Sequence, residues 1–391
     1  MEKSWYKDYL HYTFIGVYFN FCMFLIQPVL SPYIKSLGFD DVQLSLLMSF
    51  LPITLIIISP LIGRLSDIHG RKSVIHLGII AYILSLNIYL LANNWFLIAL
   101  ARILDAVAIA AVTLMIVARV EDALSDNERG KLAGWTFSLQ NVTKLLAPVI
   151  AGLLADFFFI KAPFITSIYL LLLLTIALFS LKNGNEKHFK EKKGNYNWFS
   201  QVYEFLSYRQ LQGMAVLGIM MHAANTAIAI FLPLLIVEKM GMDYRFIGYA
   251  LFLMGIASLF QFYFGKIADK SGPWRGVLAG CALSGTSLAM VVLTNNYWSL
   301  IACLLVHGTG NAVWNVSAWS LMSNVGERIS EEGQVVTTYA SLAKIGSVLM
   351  SVLAGFIVTF SSIPVLLMVS GILVVAAAAY SHHKLVPAKD L

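Results

Sequence analysis

The chain has 391 residues, of which 59% are apolar and only 12% charged, and its mean hydropathy is +0.76. A soluble domain carries about 25% charged residues, so this composition excludes a water-soluble protein. The three cysteines, Cys22, Cys281 and Cys303, lie in apolar stretches without CxxC spacing, which supports neither a disulfide framework nor a zinc site. The net charge of +6 does not indicate nucleic-acid binding, because the basic residues lie between apolar runs rather than on one soluble face.

Apolar runs of roughly 20 residues recur along the whole chain. Each is long enough to cross a hydrocarbon core about 30 Å thick as a helix, and backbone hydrogen bonding in lipid favours helices over an open sheet. The first run is long and lacks a clear small-residue cleavage site, so we expect it to be retained rather than removed as a signal. The sequence predicts twelve spans, near residues 12–34, 43–63, 74–93, 96–118, 132–155, 163–181, 212–237, 246–265, 276–294, 299–323, 335–358 and 362–380.

Lysine and arginine are concentrated on one side of these spans. An even number of spans places both termini on the same side, and 20 of the 27 basic residues fall in the terminal segments or in loops on that side. The opposite loops hold only Lys35, Lys161, Lys239 and Arg245. The positive-inside rule therefore predicts that both termini are cytoplasmic.

A long polar stretch containing EKHFKEKKGN separates the first six spans from the last six. The end of this stretch, NWFSQVYEFLSYRQ, carries apolar side chains on one helical face, and we expect it to lie on the cytoplasmic membrane surface. The predicted domains are an N-terminal six-helix bundle over 1–181, a cytoplasmic linker with this amphipathic segment over 182–211, and a C-terminal six-helix bundle over 212–391.

The two halves repeat each other. GRLSDIHG at 63–70 and GKIADKSG at 265–272 share Gly, Asp and Gly at an offset of 202 residues. Further landmarks recur at offsets of 202 to 205, namely Asn93-Asn94 with Asn295-Asn296, Gly38 with Gly241, Asn20 with Asn225, and Pro28 with Pro233. The predicted fold class is therefore an all-α membrane protein of twelve transmembrane helices in two pseudo-symmetric six-helix bundles, which is a transporter architecture.

The string GRLSDIHGRK resembles the cytoplasmic motif between spans 2 and 3 of the major facilitator superfamily, and the resemblance covers essentially the whole chain. Span 4 at Arg102 resembles a second pattern of that family. Span 5 resembles its antiporter pattern through Gly134, Pro148 and Gly152, with other small residues at three of the glycine positions. The resemblance implies the major facilitator fold and is greatest to drug:proton antiporters.

The resemblance also implies that the loop motif latches the cytoplasmic side. Within it, Gly63 would allow a close helix approach, Gly70 a tight turn, and Asp67 a cap or an ion pair across the interface between the halves. The residues predicted for cytoplasmic gating are Gly63, Asp67, Gly70, Arg71, Glu121, Asp122, Gly265, Asp269 and Gly272.

Few ionisable residues lie inside the predicted spans, where each costs at least about 2.5 to 3.5 kcal/mol on insertion scales. Arg102 and Asp105 share one face of span 4, and Lys144 enters span 5 at a similar depth. Two roles stay open for Asp105: a proton-titratable group controlled by one of these cations, or a static ion-pair partner of one of them. The predicted proton-coupling residues are Asp105, Arg102 and Lys144.

Polar faces on spans 1, 4, 7 and 10, which border the central cavity in this family, predict the substrate cavity. The 202-residue offset maps His307 onto Asp105, and for each histidine a packing role is open beside that of a proton carrier. Lys344 on span 11 has no acid on neighbouring spans to pair with. The predicted cavity residues are Asn20, Gln27, Arg102, Lys144, His222, Asn225, His307, Asn311, Trp314 and Lys344.

Three deep bases oppose one deep acid, so we expect the cavity to favour anionic or zwitterionic solutes. The sequence predicts a proton-coupled secondary transporter that works by alternating access and exports a small organic anion or zwitterion, such as a metabolite or siderophore. Three alternatives stay open: multidrug:proton antiport, proton symport for carboxylate uptake, and a membrane sensor on a transporter scaffold.

The sequence contains no HExxH, GxSxG or GxxxxGK[ST] motif and no paired intramembrane carboxylates. We therefore expect neither an enzyme nor a bound cofactor or metal. The expected partners are a small-molecule solute, protons and the lipid bilayer, without nucleic acid. We expect a monomer in a bacterial inner membrane.

Overall fold

A computed structural model describes residues 2–116, 129–179, 198–328 and 332–386. Helices form almost all of this backbone, and these residues include no β-strand. The all-α prediction is confirmed. The predicted gating residues Glu121 and Asp122, and the part of the linker from 182 to 197, lie outside the described residues.

The first half contains six described helices. Helix α2 begins at a capping box, because the Asp40 carboxylate accepts a hydrogen bond from the Gln43 backbone at 2.7 Å while the Gln43 side chain accepts one from the Asp40 backbone at 3.1 Å. The helices are α1 (Glu2–Ser36), α2 (Asp41–His69), α3 (Arg71–Leu91), α4 (Trp95–Ile109, continued by a π-helical turn at Ala110–Leu114), α5 (Arg129–Phe157) and α6 (Ala162–Phe179).

The second half contains a short helix followed by seven longer ones. They are α7 (Trp198–Ser207), α8 (Arg209–Leu234, with a π-helical end at Leu235–Lys239), α9 (Tyr244–Gly255, with a 3₁₀ turn at Ile256–Phe260), α10 (Gln261–Ser271), α11 (Pro273–Ala289, with a 3₁₀ end at Met290–Leu293), α12 (Tyr297–Arg328), α13 (Glu332–Phe360) and α14 (Ile363–Leu385). Helices α9 and α10 together form one span.

Ten helical segments in the described part of the chain are long and apolar enough to cross a bilayer. A shorter apolar helix at Ala162–Ile176 and the 32-residue α12 occupy the other two predicted spans. Each predicted span therefore coincides with helix wherever the structure describes it.

The chain divides into two compact units. The first comprises Met1–Lys193 with Asp243–Gly248, and the second comprises Gly194–Met242 with Tyr249–Leu391. Inside the first unit, α1 packs on α5 and α6, and α4 packs on α2 and α3. Inside the second, α8 packs on α13 and α14, and α12 packs on α10 and α11. Each unit thus repeats the same pattern of helix neighbours.

Local geometry explains the landmarks that recur in the sequence. The side chain of Asn94 accepts a hydrogen bond from the Leu97 backbone at 3.0 Å, and that of Asn296 accepts one from the Ser299 backbone at 2.9 Å. These asparagines therefore cap α4 and α12. The glycines found with positive φ form the two repeated pairs, Gly38 (93°) with Gly241 (65°) and Gly70 (82°) with Gly272 (89°).

A pair of helix crossings also recurs. A Cβ on Gly280 of α11 would lie 2.5 Å from the Trp314 backbone nitrogen, and one on Gly78 of α3 would lie 3.3 Å from the Ala108 carbonyl oxygen. Gly78 and Gly280 are 202 residues apart, like the landmarks above. Small residues let helices approach closely in a membrane, so both crossings depend on the missing side chain.

The amphipathic segment after the linker is helix α7. Phe205 is only 3% exposed, and the Glu204 carboxylate accepts a hydrogen bond from the Gln334 amide of α13 at 3.0 Å. Tyr203, in contrast, is 81% exposed. The helix is therefore docked on the second unit by one face, and its place at the membrane surface stays a prediction.

Candidate transport site

The first unit places Asp105 in a hydrogen-bond network that joins α3 to α4. The Tyr89 hydroxyl donates to the carboxylate at 2.7 Å and the Arg102 guanidinium donates at 3.0 Å. The Ser85 hydroxyl donates to the other carboxylate oxygen. Because Arg102 lies three residues before Asp105 on one helix, the ion pair is set by α4 alone, whereas Ser85 and Tyr89 come from α3.

This network is buried. Asp105 is 5% exposed and Arg102 is 9% exposed, and among the described residues they are the only buried side chains of formal charge. Three donors form hydrogen bonds with the oxygens of the ionised carboxylate, and two of these donors come from the neighbouring helix α3. In this geometry the Asp105 carboxylate joins α3 to α4, whereas the static pair expected from the sequence would have fastened helices 4 and 5. The proton-coupling role of Asp105 stays a prediction.

Lys144, the other predicted partner of Asp105, is not in this network. Its ammonium lies 5.9 Å from the ring centroid of Phe24 on α1, and it forms no ion pair with any described acid. Of the two pairings left open by the sequence, the structure contains the one with Arg102. Of the other cavity residues predicted in this unit, Asn20 is buried and Gln27 is exposed.

The second unit carries a chain of polar side chains that links three helices. His307 of α12 contacts the Ser284 hydroxyl of α11 through Nδ1 at 2.9 Å and the Asn225 amide oxygen of α8 through Nε2 at 3.3 Å. The Asn225 amide nitrogen donates to the Asn311 amide oxygen at 3.0 Å. The structure thus brings together Asn225, His307 and Asn311, which the sequence placed in one cavity.

A second group lies one helical turn further along the same helices. The His222 ring packs edge-on against Trp314 with a centroid distance of 6.2 Å. The Trp314 indole nitrogen is buried and has no hydrogen-bond partner among the described residues. Lys344 of α13 is half-buried and forms no ion pair with a described acid.

Three partners in these networks were missed by sequence reasoning. Ser85, Tyr89 and Ser284 all come from the helix that precedes the one carrying Asp105 or His307. A usable signal was present, because Ser85 and Tyr89 are four residues apart and thus lie on one face of α3.

The predicted gating glycines behave differently from one another. Gly70 and Gly272 adopt positive φ, as the tight-turn prediction requires. The close approach predicted at Gly63 is wrong for the part of the chain that the structure describes, because a Cβ there would meet no atom within 4 Å, whereas one on Gly265 would lie 3.2 Å from Val316. A glycine permits close packing but does not by itself bring a neighbour to it.

The charged residues predicted for gating are only partly described. Asp67 is exposed and Arg71 is half-buried, and Arg71 engages in interactions. The side chain of Asp269 lies outside what the structure describes. The latch itself stays a prediction.

Two units with the same helix neighbours, long apolar helices and charged or polar groups inside those helices define a polytopic membrane transporter of two repeats. The chain matches the family model described as Major Facilitator Superfamily over residues 12–330 and again over 214–387. It belongs to that superfamily, and it is a multi-pass integral membrane transporter, not an enzyme.

Two relatives illustrate the sequence similarity. The Quinolone resistance protein NorA of Staphylococcus aureus (strain COL) is 23% identical over 340 residues, which cover 83% of this chain and 85% of that protein. The Uncharacterized MFS-type transporter MJ1560 of Methanocaldococcus jannaschii is 22% identical, with 79% of each chain covered.

Two solved structures share the fold. A bacterial homologue of the human lysosomal transporter Spinster superposes with a TM-score of 0.80 at 14% identity, covering 98% of this chain and 97% of its own. The nucleoside transporter NupG gives the same TM-score and identity, with 96% and 99% covered. The predicted major facilitator fold is confirmed.

Proposed function

We propose that this protein is a proton-coupled secondary transporter that works by alternating access and exports a small organic zwitterion or anion of the metabolite or siderophore class. The observation that carries the proposal is the charge balance inside the spans. Arg102 is neutralised by Asp105, so Lys144 and Lys344 are the intramembrane cations left without an acid among the described residues.

The two lysines lie on equivalent helices. Helices α5 and α13 are both 29 residues long, and both pack on the first membrane-spanning helix of their unit, α1 or α8. Lys144 and Lys344 fall near the middle of these helices, within segments apolar enough to span a bilayer. A charge at such a depth is costly and needs a function or a partner, and the anionic group of a transported solute is the partner that we propose.

Proton coupling is proposed for Asp105 because it is the only buried acid among the described residues. A carboxylate that accepts hydrogen bonds from Tyr89 and Arg102 can bind a proton only when that network rearranges. A solute that draws Arg102 away, or one that places its own cationic group on Asp105, would cause this rearrangement. The pair therefore connects solute binding with protonation.

Proteoliposomes holding the purified protein test the proposal through solute-driven changes of internal pH. The panel is an organic carboxylate, a quinolone bearing a carboxylate, and a permanently cationic dye. We expect the two carboxylate compounds to drive proton movement in the wild type and the dye to drive none. Lys144→Met and Lys344→Met should each reduce this movement at least ten-fold, and Asp105→Asn should abolish it.

Lys239→Met is the matched control, because Lys239 is an exposed lysine at the end of α8 and its loss removes the same charge. Proton movement driven by the dye alone would overturn the anion preference and favour multidrug:proton antiport. Full activity in Asp105→Asn would leave Asp105 as a fastener of α3 and α4 and place the proton elsewhere.

A second candidate, proton symport of a carboxylate, is favoured by one observation. Arg102 and Asp105 form a hydrogen-bonded ion pair. A simple anion that binds Arg102 would remove the cation from Asp105, and the carboxylate would then bind a proton more readily. Anion and proton would then bind together, which is the requirement of symport.

The setting that we propose is a bacterial cytoplasmic membrane with both termini on the cytoplasmic side and a monomer as the working unit. The distribution of lysine and arginine supports this orientation. Labelling of single cysteines at exposed Lys239 and at exposed Lys266 from either side of intact cells tests it, since the two positions should face opposite sides.

A further inference from the structure

The hydrogen bonds that link polar side chains in the second unit all run in one donor-to-acceptor direction. The Asn225 amide nitrogen donates to Asn311, so the Asn225 amide oxygen faces His307 Nε2, and that nitrogen carries the hydrogen. We assign the tautomer with the hydrogen on Nε2, because Nδ1 then accepts from the Ser284 hydroxyl at 2.9 Å, a shorter contact than the 3.5 Å from Nδ1 to the Ser284 carbonyl oxygen. Hydrogens therefore point from Ser284 through His307 and Asn225 towards Asn311.

This direction fixes what Asn311 can offer to a ligand. Its amide oxygen already accepts from Asn225, whereas its amide nitrogen forms no hydrogen bond with a described residue and is the group without a partner. An amide nitrogen is a donor only. His307 has both ring nitrogens in hydrogen-bond contacts, so it holds the orientation of the two amides rather than offering a donor to a ligand.

One more donor without an acceptor lies close to Asn311, and a lysine lies on the helix packed against α12. Trp314 is one helical turn away on the same face of α12, and its indole nitrogen is buried without a partner although the residue is only 5% exposed. An unpaired buried N–H is destabilising, so a bound acceptor would recover that free energy. Lys344 of α13, the helix packed against α12, adds an ammonium that has no ion pair with a described acid.

We propose that Asn311, Trp314 and Lys344 form a donor subsite that binds a carboxylate or another oxygen-rich anionic group of the solute. In this subsite Asn311 determines specificity, and His307 is a positioning residue that keeps the Asn311 donor facing the ligand. The inference rests on the proposed transport of an anion or zwitterion, and it names the group of the solute that the second unit recognises.

Equilibrium binding to the purified full-length protein in detergent tests the subsite. The probes are naphthalene-2-carboxylate, its methyl ester and 2-naphthylmethylammonium, which share one ring and differ in the group presented. Wild type should bind the carboxylate at least ten-fold more tightly than the other two. Asn311→Asp should abolish this selectivity, because it replaces the donor by a like charge.

Asn296→Asp is the matched control, since it adds the same charge to α12 at a cap position that aspartate also suits. His307→Gln retains a donor towards Asn225 and should keep the selectivity, whereas His307→Leu should lose it. Selectivity is a ratio of two affinities, so a general loss of stability does not change it, and thermal unfolding of each variant reports its folding separately.

The outcomes separate this inference from the proposed function. Unchanged selectivity in Asn311→Asp would overturn the subsite and leave anion transport standing. Failure of the wild type to bind the carboxylate, or preference for the ammonium probe, would overturn the subsite and also remove the support for an anionic solute. A wild type that binds the carboxylate but moves no protons in proteoliposomes would contradict only the coupling.

Discussion

Asp105 and His307 occupy equivalent positions of α4 and α12, and each is hydrogen-bonded to a serine of the helix before its own. The repeat has kept a buried polar residue at this position while changing its chemistry. In the first unit the residue is an acid held by Arg102, and in the second it is an imidazole held by the amide of Asn225. At this pair of equivalent positions, the first unit therefore has a buried ion pair and the second has a series of uncharged hydrogen-bonding side chains.

The buried pair predicts a marked asymmetry between single and double substitutions. Asp105→Leu leaves Arg102 buried without its partner, and breaking a buried pair costs about 3 to 5 kcal/mol. The double variant Arg102→Leu/Asp105→Leu removes both charges and should recover most of that loss. Thermal unfolding of the purified variants in detergent measures both effects.

Arg245→Leu provides the control for that cycle. Arg245 lies 3.4 Å from Asp156 and 2.8 Å from Asp243, but its side chain is 38% exposed, so its loss should cost no more than about 1 kcal/mol. Equal destabilisation by Asp105→Leu and by the double variant would show that the loss does not come from a buried, unpaired Arg102.

Much of the fold is readable from the sequence because its signals are local. Apolar runs locate the spans, and the repeated Asn94 and Asn296 mark two helix starts that the structure shows to be caps. Gly70 and Gly272 were placed in turns because few other residues adopt positive φ. Each of these features depends only on residues that are close to one another in the sequence.

The partners across helices were not readable for a physical reason. Helices in a membrane are apolar towards lipid and towards protein, so the pattern of the sequence does not fix how each helix is rotated about its axis. The spacing of Ser85 and Tyr89 puts them on one face of α3, but the sequence does not show that this face is turned towards Asp105, or that Ser284 faces His307. The same uncertainty explains why close packing was expected at Gly63 but is seen at Gly280.

Two glycines within helices should respond in opposite ways to alanine. A Cβ on Gly280 would lie 2.5 Å from the Trp314 backbone nitrogen and 2.7 Å from the Gly310 carbonyl oxygen, and backbone atoms cannot move aside cheaply. Overpacking of this kind costs about 1 to 3 kcal/mol, so Gly280→Ala should lower the thermal midpoint in detergent. Gly63→Ala should leave it unchanged or raise it, because a Cβ there meets open space and alanine favours helix. A lower midpoint for Gly63→Ala than for Gly280→Ala would contradict the packing described.

The two turn glycines should be equally intolerant. Gly70 has φ 82° and ψ 150°, and Gly272 has φ 89° and ψ 127°, a region that side chains with a Cβ rarely enter. Strain of this kind costs about 1 to 3 kcal/mol, so Gly70→Ala and Gly272→Ala should each lower the thermal midpoint by a similar amount. Gly63→Ala, seven residues before Gly70, serves as the control. A neutral effect at one glycine alone would show that the two turns are not equivalent.

The sign of proton linkage at Asp105 decides between the two directions of transport. A simple anion that binds Arg102 takes the cation from Asp105, so protonation of Asp105 becomes favourable and solute and proton bind together. Its affinity should then rise as pH falls, and mixing it with protein in weakly buffered solution should take protons up, because linkage is reciprocal. A zwitterion whose cationic group occupies Asp105 competes with the proton instead.

In that second case affinity should fall as pH falls, and binding should release protons. Exchange of solute for protons needs such competition. Proton release on solute binding therefore supports export, and proton uptake on solute binding supports symport. A pH-sensitive dye read during solute titration distinguishes the two, with Asp105→Asn as the control in which either signal should disappear. A signal that persists unchanged in Asp105→Asn would show that the coupled proton is carried by another group, and the buried Arg102–Asp105 pair would then be structural.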